Sequence, residues 1–212
     1  MFTDKDAVII GLTGMSGAGK TTACTVFSDF GFSIINCDMV SRIVVEKEKP
    51  ALKELIVRFG ESAVLSDGTL NRKYIGNLIF SDEKERYAFN EIIYPYISYE
   101  MIITAIKYIE SGSRVIILDA PTLFESGTDC LCDYIVSVVS DIESCIERIR
   151  KRDNLTSEEA KNRLLSQNPP DFYRSKSDFC VENTGSVDEM KNQVRIIAEK
   201  IGDINAQEKE KI

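Results

Sequence analysis

The 212-residue chain contains no histidine. That absence removes histidine general bases, phosphohistidine relays and Ser-His-Asp triads, so proton transfer must fall to Asp, Glu, Lys or Arg. Nor is there an unbroken apolar run of the ~18 residues a membrane-spanning helix needs. The N-terminus lacks the basic, then apolar, then small-residue pattern of a secretory leader, and a cytoplasmic location is expected. Six cysteines are scattered along the chain. Cys130-Leu131-Cys132 is C-x-C, and no second pair stands at zinc spacing. In a cytosolic chain these thiols are expected to stay reduced, as small core residues. No N-K-x-D segment of the kind that reads a guanine base is present, nor any internal repeat or low-complexity linker. The net charge of −8 argues against broad nucleic-acid binding. It leaves a phosphorylated substrate open, because local Lys and Arg clusters decide that.

What the chain does contain begins at Gly14-Met15-Ser16-Gly17-Ala18-Gly19-Lys20-Thr21, which fits G-x-x-x-x-G-K-[ST]. The apolar run Val8–Thr13 before it reads as a buried strand, and the residues after it continue at helical spacing. Strand, glycine loop and helix together make a phosphate-binding loop. Its N–H groups and the positive end of the following helix face an anion. Lys20 adds a full charge for the β- and γ-phosphates, and the Thr21 hydroxyl can ligate Mg²⁺.

Strands and helices alternate thereafter, which predicts a parallel α/β sheet. Strands are expected at about 7–13, 33–37, 114–119, 134–139 and 179–182. A helical block is expected over about 38–110, broken by the turn Ser66–Thr69 and bounded or kinked at Pro95. Capping-box signatures stand at Ser140…Glu143, Thr156…Glu159 and Ser186…Glu189. The polar tail after Gly202 is expected to fray. The layout is a nucleotide-binding sheet with two helical additions, one near 60–110 and a second around 148–175. Additions at such places in phosphoryl-transfer enzymes hold the acceptor and close over ATP.

Asp119 ends a strand of four aliphatic residues, the usual form of a second Mg²⁺-linked acid beside a phosphate-binding loop. The plainer alternative is a strand-end turn residue. Asp38 follows the second strand, and in a doubly wound sheet the carboxyl ends of strands face the ligand crevice. It could orient or deprotonate an acceptor hydroxyl, or simply cap the helix from Met39 to Glu46. Arg42 lies one helical turn on, on the same face. Arg148, Arg150, Lys151, Arg152 and Arg163 cluster in the second addition, either as a solvated face or as cations reaching ATP.

The chain resembles the dephospho-CoA kinases, P-loop kinases that phosphorylate the ribose 3′-hydroxyl of dephospho-CoA in the last step of coenzyme A synthesis. The resemblance covers about residues 8–195. It rests on Gly11–Thr22, Phe30–Asp38, Ser41–Glu46, Phe59-Gly60, Asp67-Gly68-Thr69-Leu70-Asn71-Arg72, Ile79–Asp82, Leu118–Glu125, Arg152–Thr156 with Arg163 and Gln167, and Asn183-Thr184-Gly185. Tyr94-Pro95 stands where the family usually has His-Pro, and Thr122 where Leu is common. The segments around Asp67 and Asp119 are the more specific; the phosphate loop alone is shared by many kinases.

The resemblance implies a P-loop NTPase fold of the α/β class, with a parallel five-stranded sheet flanked by helices. It implies an acceptor subdomain at 60–110 and a lid at 148–175. Asp38, Lys20 and Arg42 would be catalytic. Gly14, Gly17, Ala18, Gly19, Lys20, Thr21, Thr22, Arg148, Arg152, Asn183 and Gly185 would bind ATP. Asp38, Arg42, Tyr94, Leu123, Phe124, Glu125 and Arg163 would bind the acceptor, and Thr21 and Asp119 would hold Mg²⁺. ATP and dephospho-CoA would be its partners, with no nucleic acid or membrane, in a monomer or weak homo-oligomer. A kinase for another small-molecule or nucleotide acceptor, or a non-catalytic nucleotide-binding relative, are the alternatives.

Overall fold

The computed structural model describes residues 7–209. Their order is β1 (Val8–Gly14), α1 (Lys20–Asp29), β2 (Ser33–Asn36), α2 (Cys37–Ile43), α3 (Pro50–Phe59), α4 (Arg72–Ser81), α5 (Glu83–Glu110), β3 (Val115–Asp119), β4 (Tyr134–Val139), α6 (Ile142–Asp153), α7 (Ser157–Leu165), α8 (Pro170–Lys176), β5 (Phe179–Glu182) and α9 (Val187–Lys209). The chain divides into two compact units, residues 1–35 with 107–212, and residues 36–106.

The first unit is built on a five-stranded parallel sheet of order β2-β3-β1-β4-β5. β1 pairs with β3 (Val8 opposite Val115, Leu12 opposite Asp119) and with β4 (Ile10 opposite Tyr134, Gly14 opposite Val138). Both β1 and β3 are buried along their whole length. Their continuous Val/Ile/Leu runs follow from a parallel sheet covered on both faces, where neither side of the pleat meets water. Burying a side chain such as Ile116, Ile117 or Leu118 contributes on the order of 1.5–3 kcal/mol. Val26 and Phe27 of α1 join Met190, Val194 and Ile201 of α9 in the core with Ile10, Leu12, Val136 and Val138.

In the second unit α3 begins with Pro50 and buries Ala51, Leu52, Leu55 and Phe59, an amphipathic stripe. Phe59 stands 6.5 Å from Phe89 of α5, and Arg58 pairs with Glu85 at 2.7 Å. The expected turn at 66–69 is present. Asp67 accepts from the Thr69 N–H at 2.9 Å and from its hydroxyl at 2.7 Å, and Leu65 N–H donates to Thr69 O at 2.8 Å.

Several local expectations are corrected. Pro95 does not end a helix: α5 runs through it from Glu83 to Glu110, giving up one backbone hydrogen bond. The cap of α2 is Asn36, whose carbonyl accepts the Met39 N–H at 2.8 Å, so Asp38 sits in the first turn instead. Ser140 is not the cap of α6. Asp141 is, accepting the Ser144 N–H at 2.8 Å, and that bond holds its carboxyl below the usual range. The capping box at Thr156 and Glu159 is present, and Ser186 and Glu189 exchange the same pair of bonds. Of the six free cysteines only Cys145 is fully buried, and Cys130 is exposed. The tail continues as helix past Gly202 to Lys209; residues 210–212 lie outside the described residues.

Candidate active site

The loop between β1 and α1 is shaped by its glycines. Gly17 has φ 79°, and a side chain there would bring its Cβ to 2.7 Å from the Cys145 carbonyl oxygen. Gly19 caps α1 in the left-handed region at φ 106°, ψ 19°, and no side chain caps the helix. The first N–H groups of an α-helix have no intrahelical acceptor, so α1 offers them, with the positive end of its dipole, to an anion.

Lys20, the first residue of α1, directs its ammonium onto the Asp119 carboxylate at the end of β3. The two side chains are only 17% and 10% exposed. Register explains the meeting: β1 and β3 are adjacent, and Asp119 lies opposite Leu12, just before the loop. Thr21 and Thr22 follow in the first turn of α1, Thr21 exposed. Cys24, further along α1, has its thiol pushed up to about 11, first by burial and then by the Asp119 charge, with Lys20 opposing. It stays a thiol at neutral pH and is no candidate nucleophile.

Three long-range hydrogen bonds brace the loop. Asn183, 6% exposed after β5, donates its amide to the Ala18 carbonyl at 2.7 Å. Arg148 of α6 donates to the Gly17 carbonyl at 3.1 Å and to the Ser140 hydroxyl at 3.2 Å. Ser140 donates in turn to the Asn183 carbonyl at 2.5 Å. On the opposite flank Gln167, between α7 and α8, accepts the Ser16 N–H at 2.9 Å. The next residue, Asn168, donates to Glu125 at 2.8 Å. Sequence reasoning passed over Ser140, except as a cap, and over the bonding of Gln167 and Asn168. Each acts over separations of 43 to 151 residues, so no local pattern marks it.

The remaining expected residues fall as follows. Arg152 grips Asp153 through two bonds of 2.8 Å, and Arg163 of α7 reaches the same carboxylate at 2.7 Å. Two guanidinium groups on one carboxylate leave a net positive charge, and they hold the Asp153 carboxyl below its usual range. Leu123 is buried. Phe124 packs edge-on against Phe172 at 5.2 Å and near Tyr173 at 6.3 Å. Tyr173 is 1% exposed, its hydroxyl has no hydrogen-bond partner, and burial with the Glu125 charge pushes it up to about 12. Gly185 precedes the Ser186–Glu189 cap of α9. Asp38, Arg42 and Tyr94 belong to the helical unit. Arg42 borders a cleft there of about 650 Å³.

The model of the family "CoaE: Dephospho-CoA kinase" matches residues 8–189. The chain belongs to the dephospho-CoA kinase family. The dephospho-CoA kinase of Listeria monocytogenes is 37% identical over 185 residues, covering 87% of this chain and 92% of the relative. Among solved structures, TT1252 from Thermus thermophilus matches with a TM-score of 0.77 at 24% identity, over 92% of this chain and 97% of that one. A dephospho-CoA kinase from Campylobacter jejuni matches with a TM-score of 0.69 at 21% identity, over 93% and 98%. At those identities the two structures speak for the fold. The P-loop and the Lys20–Asp119 pair lie within the segment matched by the dephospho-CoA kinase family. Among the described residues no helix is long and apolar enough to cross a membrane, and no three His, Cys, Asp or Glu side chains cluster to hold a metal.

Proposed function

We propose that this chain transfers the γ-phosphoryl group of ATP to the ribose 3′-hydroxyl of dephospho-CoA, giving coenzyme A and ADP. The observation that carries the reading is the phosphate loop with Lys20 against Asp119, in a chain of the dephospho-CoA kinase family. Backbone N–H groups of Gly17 and of Gly19 to Thr21 cradle the phosphates, those of Met15, Ser16, Ala18 and Thr22 being bonded within the fold, and Lys20 exchanges Asp119 for the β- and γ-oxygens. Asn183, Ser140 and Arg148 keep that backbone in shape. They act on the loop through Ala18 and Gly17, and the Asn183–Gly185 loop borders the adenine.

Asp38 accepts or orients the acceptor's hydroxyl proton, a task that no histidine can take in this chain. Arg42 holds acceptor or phosphate beside it. Tyr94, Leu123, Phe124 and Glu125 bind the acceptor. Helices of the 60–110 region form the acceptor subdomain, and residues 148–175 form the lid. There Arg152 and Arg163, two cations sharing Asp153, have charge to spare for the migrating phosphoryl group.

Mg²⁺ fits the donor set. The Thr21 hydroxyl and Asp119 carboxylate are hard oxygen donors, and Mg²⁺ characteristically takes one or two protein ligands, the rest being phosphate and water. Bound there, it would neutralise charge on the β- and γ-oxygens. Six free cysteines suit the reducing cytoplasm, where the enzyme works as a monomer or weak homo-oligomer without nucleic acid or membrane.

The test is ADP release from MgATP with dephospho-CoA, compared with adenosine, shikimate and gluconate. Stimulation confined to dephospho-CoA is expected. Equal stimulation by an unrelated acceptor would refute the assignment.

A further inference from the structure

The cleft of about 650 Å³ in the helical unit is lined by four cations, Arg42, Lys47, Arg72 and Lys73, and one acid, Glu46. This lining is unusual for a chain of net charge −8. Buried Val45 and Leu70 give it an apolar part of its lining. The cations come from three places: Arg42 from α2, Lys47 from the loop after it, and Arg72 with Lys73 from the first turn of α4. Among the described residues none of the four makes a salt bridge.

Two of those charges oppose the helix that bears them. α4 has Arg72 and Lys73 in its opening turn and no acid there. Cations at a helix N-terminus face the positive end of the dipole and are disfavoured there. Arg42 and Lys47 line the same cleft, and Lys47 also faces the Asp67 carboxylate, whose pKa its charge helps to lower. Lys47 is further set in place by the Asp67–Thr69 turn: its side chain lies against Gly68, where an added Cβ would meet Lys47 Cε at 3.1 Å. Four cations without a salt bridge beside an apolar lining suit a multiply charged anion with an extended organic tail.

We infer that this cleft takes the diphosphate of the acceptor, with Lys47, Arg72 and Lys73 on the phosphate oxygens and the apolar lining of Val45 and Leu70 against the first atoms of the pantetheine arm. The inference rests on the proposed acceptor, since dephospho-CoA carries such a diphosphate. It assigns acceptor binding to three residues for which the sequence suggested no such role. The volume exceeds what a diphosphate needs and suits an attached chain.

The experiment is calorimetric titration of dephospho-CoA into the full chain with the phosphate loop filled by a non-hydrolysable ATP analogue. It is run for the wild type, a Lys47→Gln/Arg72→Gln double variant, and the charge-keeping Lys47→Arg/Arg72→Lys pair. All these side chains are exposed, and a thermal melt checks that each variant folds. The dissociation constant should rise about tenfold or more in the Gln variant and recover in the charge-keeping one. The affinity for the ATP analogue should stay the same. Equal affinity for dephospho-CoA in wild type and Gln variant overturns the cleft. Dephospho-CoA that binds the wild type yet is not phosphorylated with MgATP overturns the catalytic reading alone, and the variants still judge the cleft. No binding to the wild type overturns both.

Discussion

Asn183→Ala removes the amide that holds the phosphate loop. The donor lies 2.7 Å from the Ala18 carbonyl, and Ala18 has no exposed surface. Without it the carbonyl loses its donor in a place closed to water, a penalty of about 1–3 kcal/mol. In a domain of this size each kcal/mol moves the melting temperature by about 2–4 °C, so a loss of about 2 kcal/mol predicts a fall of about 4–8 °C. The displaced carbonyl belongs to the peptide that leads into Gly19, so ATP affinity should fall with stability. Differential scanning calorimetry and titration of ATP read the two effects. The Asn183→Asp variant sharpens the argument. At neutral pH it faces a carboxylate against a carbonyl oxygen and should cost about 3 kcal/mol or more. A carboxyl so placed has its pKa raised by burial, and its protonated O–H can donate to Ala18. The deficit should therefore shrink as pH falls. An Asn183→Ala protein with wild-type melting and wild-type ATP affinity would refute the bracing role.

Gly17→Ala should abolish ATP binding or weaken it by about a hundredfold, because φ 79° and the Cys145 carbonyl both exclude a Cβ; equilibrium dialysis with ATP checks this. Tyr173→Phe should leave stability unchanged or raise it by about 1 kcal/mol, since the hydroxyl is buried without a partner; urea denaturation would instead show a loss if it had one. Arg174→Gln should lower the melting temperature at neutral pH but not in acid. Its bonds to Glu182 depress that carboxyl, so their contribution is present above the ordinary Glu range, near 4.5, and disappears as pH falls through the lowered value. Alkylation followed by mass spectrometry at pH 8 should label exposed Cys130 first. Cys145, whose thiol burial pushes up to about 11, should react last.

The sheet was readable because a parallel strand covered on both faces must be apolar throughout, and Val8–Thr13, Val115–Leu118 and Tyr134–Val139 are such runs. The phosphate loop was readable because its chemistry is local: turn, amide cradle and helix start within eight residues. Helix boundaries were less so. Asn36 and Asp38, or Ser140 and Asp141, are equally good caps by residue type, and the choice is settled by what else each can bond. Ser140 is spent on the Asn183 carbonyl, which leaves Asp141 to cap α6. Pro95 reads as a boundary or a kink on propensity, and α5 continues through it, with Ile93, Met101 and Ala105 buried on either side. The loop's supports were invisible for a different reason. Gln167, Arg148 and Asn183 meet Ser16, Gly17 and Ala18 across more than 130 residues, a pairing that exists only once the sheet has formed.

The most direct test of the kinase assignment is the product itself. The purified chain is incubated with MgATP and dephospho-CoA, and the products are resolved by mass spectrometry and phosphorus NMR. The account predicts ADP and, in equal amount, a species one phosphoryl group heavier than dephospho-CoA, bearing a new phosphomonoester on the ribose 3′-oxygen. ADP formed with unmodified dephospho-CoA, or a phosphate placed elsewhere on the acceptor, would contradict it.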